Sequence, residues 1–459
     1  MNQLFAHEEA QSIATYVCSE ENCANILSAF SSDIRTHAEL IGFQGKLGQS
    51  VFLVHDGEPL AFLGFGNVQF RARHRFALAF ASANLPNGVY RLIEDDVLGK
   101  DNIELLGWYL DQYRFTRYTS ASAPDRKLVL PPWANEAYIS ALLQSEILCR
   151  DLINTPASDL GPSELASAAI KVSKQYHASI DIISGAKLLE RNFPMIHAVG
   201  RASAQEPCLI DLNWGRTGPK ITIVGKGVCF DTGGLDLKPA AGMALMKKDM
   251  GGAANTLALA SMIMQLQLPI RLRVLIPAVE NAVSGDAFRP KDILTSRKGL
   301  SVEVNNTDAE GRLILADALT YASEDNPELI ISLATLTGAA RVALGQDVVP
   351  FFSGSNDFTT SLMRAGDIMQ DPVWPLPFWE PYETMIEPGI ADLDNAPSGG
   401  FGGAITAALF LRRFVSDPSR YAHFDIFSWS SQTLPGRPKG GNSTGARAIL
   451  HALQKFFDI

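Results

Sequence analysis

Histidine is scarce in this chain of 459 residues: only His7, His37, His55, His74, His177, His197, His423 and His451, and they are scattered. His7-Glu8-Glu9 opens like a zinc-protease helix, but position 11 is Gln, so the second histidine of that motif is missing. Cysteine is scarcer still. Cys18, Cys23, Cys149, Cys208 and Cys229 are odd in number and irregular in spacing; reduced thiols in a cytoplasm are the simplest reading. Positive charge is also in deficit, with 39 Lys and Arg against 49 Asp and Glu, a net charge of −10. That balance leaves no electrostatic footprint for nucleic acid or an anionic membrane; the one basic cluster is Arg71-Ala72-Arg73-His74-Arg75. No uncharged run reaches the roughly 20 residues of a membrane helix. The opening MNQLFAHEEAQS has neither the basic nor the apolar region of a signal peptide. Single cores stop growing near about 250–300 residues, so two domains are expected.

Against these absences stand two dense stretches. One is VGKGVCFDTGGLDLKP (Val224–Pro239), followed closely by LMKKDMGGAA (Leu245–Ala254); the other is NTDAEGRL (Asn306–Leu313). They gather Lys226, Asp231, Lys238, Asp249, Asp308, Glu310 and Arg312 among apolar residues and glycines. Unpaired buried carboxylates cost several kcal/mol each, so such a set binds metal, pairs with Lys or Arg, or stays at a wet surface. Asp and Glu oxygens suit Mg, Mn and Zn, and a two-metal site needs bridging carboxylates, which this set supplies. The glycines at 225, 227, 233, 234, 251 and 252 allow backbone to approach a ligand. On residue chemistry alone, a solvated salt-bridge network and a metal site both remain open. Cys229, between Lys226 and Asp231, reads as a small packed residue rather than a ligand.

The same stretches resemble the leucyl aminopeptidase (cytosol aminopeptidase) family, peptidase family M17, whose signature is NTDAEGRL. DLINTPASDLGP (Asp151–Pro162), ATLTGAARVALG (Ala334–Gly345), GGAITAALFL (Gly402–Leu411) and YAHFDI (Tyr421–Ile426) extend the resemblance in order to about residues 150–459. It implies a metal-dependent aminopeptidase that releases N-terminal, preferentially apolar residues from short peptides by attack of a bridging metal hydroxide. Lys226, Asp231, Asp249, Asp308 and Glu310 would hold two divalent ions, Mn or Zn or else Mg, with Asp231 and Glu310 bridging and Lys226 binding as a neutral amine. Lys238 would polarise the scissile carbonyl, and Arg312 would hold a bicarbonate that relays a proton. Met246, Thr335, Leu336 and Gly338 would surround the first side chain. The family also implies a homohexamer and a macro-like N-terminal domain. The chain departs from the pattern at Asp236, where many relatives carry serine. A carboxylate there either sits near Lys238 and trims its charge or points outward. It departs again at Phe427-Ser428-Trp429, where relatives continue with small residues; a pocket wall or subunit contact would be altered.

The expected fold class is α/β: a catalytic domain with a mixed, largely parallel sheet flanked by helices, plus a smaller N-terminal α/β domain. Residues 1–120 form the latter, 121–155 a linker and bridging helix, and 156–459 the catalytic domain. Val51–Gly66 and Phe76–Leu85 read as strands, Asn102–Phe115 and Asn135–Asn154 as helices, and Thr119–Pro124 as a boundary. Beyond Ser163, short apolar strands (Ile180–Ile183, Cys208–Trp214, Lys220–Gly225, Leu272–Val279, Leu329–Leu336, Ala422–Phe427) alternate with helices, the signature of a sheet covered on both faces. Three decoys are set aside. Gly225-Lys226-Gly227 lacks the third glycine of a dinucleotide loop, Gly441–Gly445 imitates a nucleophile elbow without its acid, and His423 sits in an apolar strand as a core residue. A catalytically dead scaffold, a DNA-binding relative and a two-metal phosphatase or amidohydrolase are the competing functions.

Overall fold

A computed structural model describes residues 5–6, 11–93, 96–120 and 122–459. His7-Glu8-Glu9, and Ala121 within the Thr119–Pro124 stretch, lie outside the described residues. The chain divides into two compact units, Met1–Ile147 with Ser430–Lys439, and Leu148–Trp429 with Gly440–Ile459. The division falls inside the helix Glu136–Asn154.

The first unit holds a five-stranded sheet of β1 (Ile13–Cys18), β2 (Ser50–His55), β3 (Glu58–Gly64), β4 (Gly88–Ile93) and β5 (Arg126–Val129), in the order β2-β3-β1-β4-β5. Only the β2–β3 hairpin is antiparallel. The segment expected as a strand at Phe76–Leu85 is instead a helix, Ala77–Ser82. Its run FALAFAS is apolar without the alternation of a half-buried strand, and alanine is the best helix former. A tertiary contact supports the helix: Leu78 N–H, one of its free N-terminal donors, is accepted by the Glu104 carboxylate at 2.8 Å.

The second unit is built on nine strands: β6 (Ser179–Ser184), β7 (Cys208–Trp214), β8 (Lys220–Gly225), β9 (Gly227–Asp231), β10 (Arg271–Asn281), β11 (Leu329–Ala334), β12 (Val349–Ser353), β13 (Val373–Pro375) and β14 (Tyr421–Asp425). Their order is β13-β12-β14-β11-β8-β10-β7-β6, with β9 also on β10. The centre, β14-β11-β8-β10, is parallel, and antiparallel pairs lie towards both sides. The sheet is mixed and largely parallel, as expected. Helices Gly251–Gln265 and Gly311–Glu324 cover it, and nearly every residue of Gly251–Met264 is buried. Gly252 is required by this packing: a Cβ there would lie 2.3 Å from the Leu333 carbonyl oxygen of β11.

The parallel centre positions the site. Lys226 follows β8, Asp231 ends β9, Asn281 ends β10, Thr335 and Leu336 follow β11, and Ile426 and Phe427 follow β14. In open α/β sheets the carboxyl ends of parallel strands form the crevice where ligands bind.

Candidate active site and metal centre

Asp231, Asp308 and Glu310 each offer a carboxylate oxygen, and these oxygens lie within 4.8 Å of one another. Three different elements deliver them. Asp231 is the last residue of β9; its Oδ1 accepts the Gly233 N–H and the Asn281 side-chain amide, both at 2.8 Å. Gly233 and Gly234 have φ of +88° and +68°, so the chain turns here in a conformation that favours glycine. Asp308 and Glu310 lie in the loop entering the helix Gly311–Glu324, whose N-terminal dipole favours negative charge.

Two lysines are shared among four carboxylates. Lys226 Nζ lies 2.8 Å from Asp249 and 2.9 Å from Glu310, and donates to the Thr335 carbonyl at 3.0 Å. Lys238 Nζ lies 3.0 Å from Asp231 and also contacts Asp308. Asp249 stands outside the three-carboxylate group and joins it through Lys226; its Oδ1 accepts the Thr335 hydroxyl at 2.7 Å. Arg312 Nη1 donates to the Asn395 carbonyl, while its Nε is buried with no hydrogen-bond partner.

This arrangement is short of positive charge. Glu310 is 1% exposed and its Oε2 has no hydrogen-bond partner. Burial pushes its carboxyl up to about 8, with Asp231 adding to the rise and Lys226 opposing it. Burial and then Asp231 lift Asp308 to about 6 against the pull of Lys238, and burial also raises Asp249. Burial works against the Lys226 charge, yet Asp249, Glu310 and Asp231 hold it above the ordinary lysine range. Lys238 is held high in the same way by Asp231 and Asp308. Carboxylates that cannot all ionise without further cations, one with an orphaned buried oxygen, form a donor set that fits hard divalent ions.

Around them lies a cavity of about 560 Å³. Lys226, Asp231, Lys238, Asp249, Asp308 and Arg312 reach its surface, and so do Met246, Thr335, Leu336 and Gly338, the residues expected around the first side chain. Every site residue named from the sequence is therefore at this cavity or, for Glu310, buried within its carboxylate group.

The chain belongs to the cytosol aminopeptidase family. The catalytic-domain model of that family matches residues 147–450, and the M17 aminopeptidase N-terminal domain matches residues 15–131. The chain is 41% identical over 367 residues to a probable cytosol aminopeptidase of Roseiflexus castenholzii, covering 76% of this chain and 75% of that protein. It is 34% identical to the cytosol aminopeptidase of Encephalitozoon cuniculi, covering 91% and 88%. The crystal structure of cytosol aminopeptidase from Coxiella burnetii superposes with a TM-score of 0.92 at 41% identity, covering 99% of each chain. The bottromycin maturation enzyme BotP, solved in complex with Mn, gives a TM-score of 0.88 at 28% identity, covering 97% of this chain and 100% of that one. The protein is accordingly a metallo-aminopeptidase, a hydrolase acting on peptides.

Several residues that shape the site have no signature in the sequence. Asn395 is fully buried and grips the signature loop: its Oδ1 accepts Asn305 N–H at 2.7 Å and its Nδ2 donates to the Asn306 carbonyl at 2.7 Å. Asn281 ties Asp231 to the Thr307 carbonyl at 3.1 Å. Their partners are far away in sequence, so nothing local marks them. Among the described residues Lys238 pairs with Asp231 and Asp308, not with Asp236; the Asp236 carboxylate accepts Thr307 N–H at 2.7 Å and so ties the two signature stretches together. Cys229 is buried and belongs to no metal-ligating group among the described residues. His423 is a buried core residue whose Nδ1 meets the Ser332 hydroxyl at 2.9 Å.

Proposed function

We propose that this chain is a leucyl-type aminopeptidase that removes single N-terminal residues from short peptides at the 560 Å³ cavity. The observation that carries the reading is the under-neutralised group of Asp231, Asp308 and Glu310 beside Lys226 and Lys238. Lys226, Asp231, Asp249, Asp308 and Glu310 would hold two divalent ions, Mn, Zn or Mg. When bound, such ions supply a lowered water pKa, a seat for the free α-amine and positive charge facing the developing oxyanion.

The chain's own residues do the rest. Lys238, whose ammonium is kept charged by two carboxylates, presents a donor to the scissile carbonyl oxygen. Arg312, with its Nε buried and free of hydrogen bonds, would hold bicarbonate. Met246 and Leu336 provide apolar wall for a first side chain such as leucine, and Thr335 and Gly338 leave room beside it. Phe401, 89% exposed in the glycine-rich loop Pro397–Gly403, is apolar surface that needs a cover. A homohexamer would supply one and restrict entry to short peptides. None of the described helices is long and apolar enough to cross a membrane, and the five free cysteines suit a reducing cytoplasm.

The test is release of leucine from an unblocked peptide by metal-stripped protein with Mn, Zn or Mg restored. Activity should return with the metal, and the N-acetylated peptide should resist because its amine is gone. Equal turnover of free and acetylated substrates would refute the reading. Light scattering decides the oligomer: a fully active monomer would remove the hexamer and leave the chemistry intact.

A further inference from the structure

Lys248 is an anomaly in this site. Its neighbour Lys247 turns away, donating to the Asn154 carbonyl at 2.7 Å. Lys248 instead lines the cavity while only 6% exposed. Among the described residues its ammonium has no hydrogen-bond or ion-pair partner; its one defined contact is the face of Phe427, 4.6 Å from the ring centre. Arg341 also lines the cavity, 5.9 Å from the same ring, with Nε and Nη1 buried and lacking hydrogen-bond partners. Two cations facing one aromatic ring repel each other, and the buried Arg341 nitrogens without partners are costly.

The nearby carboxylates already have other partners. Asp249 is committed to Lys226 and Thr335. Asp425 accepts the Leu336 and Thr337 N–H groups at 3.2 Å and the Thr337 hydroxyl at 2.6 Å, and spends its remaining contact on Arg341. An anion from outside the chain would complete the set. Position decides which anion. Lys248 lies two residues after Met246 and Arg341 three after Gly338, while Phe427 lies two residues beyond Asp425 of β14, the register partner of Ala334, itself two residues before Leu336. These residues therefore adjoin Met246, Leu336 and Gly338, the wall assigned to the first side chain.

We propose that Lys248, with Phe427 beneath it and Arg341 beside it, is a specificity-determining residue that makes the first-side-chain pocket accept a carboxylate, so that the enzyme releases N-terminal glutamate as well as apolar residues. This rests on the aminopeptidase reading above and adds a substrate class to it. Glutamate is favoured over aspartate because its longer side chain reaches past the apolar wall. Phe427 narrows a pocket that a smaller residue would leave open for bulky apolar groups, while its π-face holds the ammonium in place.

The test compares Glu-Ala, its uncharged isostere Gln-Ala, and Leu-Ala on the metal-loaded full-length enzyme. Wild type should favour Glu-Ala over Gln-Ala in kcat/KM by about tenfold, the scale of one charge-assisted contact in a partly hydrated pocket. Lys248→Met should bring the two to parity, mainly through KM for Glu-Ala, and Lys248→Arg should keep the preference. Wild-type enzyme that hydrolyses Leu-Ala but treats Glu-Ala no better than Gln-Ala overturns the proposal. So does Lys248→Met that retains the preference. Wild-type, metal-loaded enzyme that releases none of the three first residues overturns the aminopeptidase reading itself, and this inference with it. The wild-type comparison stands even if a variant fails to fold.

Discussion

Two regions of the molecule treat buried charge in opposite ways. In the first, Glu104 caps the helix Ala77–Ser82 through Leu78 N–H, and Arg126 donates to the Ser82 carbonyl at 2.9 Å and pairs with Asp111 at 3.2 Å. Apart from Arg126 Nε, which is buried without a hydrogen-bond partner, these groups are held by backbone or by one opposite charge, which is how a buried ion serves structure. In the second unit four carboxylates share two lysines, and Glu310 Oε2 is left with no hydrogen-bond partner. A deficit of that kind persists only where something outside the chain completes it. Burial alone therefore does not mark a functional site, whereas burial combined with missing charge does.

The comparison breaks most readily at Glu310 and Lys238. Glu310→Ala should lower kcat by more than about 10³-fold and reduce metal content by elemental analysis. Lys238→Ala should slow turnover by about 10²–10³-fold, the scale of one oxyanion donor, while retaining metal. Metal loss on Lys238→Ala would show that this lysine belongs to the ligand set.

His423 is the next test, since it is buried charge avoided rather than balanced. Burial depresses its imidazolium to about 4. In the unfolded chain it titrates near 6.5, so below that value the unfolded state takes up a proton the folded state refuses. The neutral histidine's contribution is fully present above about 6.5 and is lost as pH falls towards 4, the loss reaching about 3 kcal/mol. Thermal unfolding of wild type and His423→Gln at pH 7 and pH 4.5 should show the wild type losing more stability on acidification. Parallel losses would contradict the assignment.

Glu104→Ala should cost about 2 kcal/mol, since it strips a buried N–H of its acceptor, and leave kcat per folded molecule unchanged. A change in kcat would mean that the first unit is not purely structural in its use of charge. The smallest effect is expected for Asp236→Ser, at an exposed position where serine can still accept Thr307 N–H. It should change stability by less than about 1 kcal/mol and turnover by less than about threefold.

The catalytic unit was the more legible of the two. Its central strands are buried on both faces and read as continuous apolar runs, and its charged residues cluster in two short stretches around glycines. The helix Ala77–Ser82 was misread as a strand because FALAFAS has no clear period and its capping acid, Glu104, lies 26 residues away. Phe427 was legible as a departure from the family pattern, but not as to what it faces.

Residue type and local spacing determined, by sequence alone, the gathering of four carboxylates with Lys226, Lys238 and Arg312 around glycines, and the largely parallel sheet whose strand ends deliver them. Tertiary structure decided how charge is shared. It left Glu310 with an unpaired oxygen and turned Asp236 toward Thr307. It set Asn395 on the signature loop and placed Lys248 with Arg341 on one ring. Those outcomes depend on distances between residues far apart along the chain, and an electrostatic balance is a sum over neighbours in space.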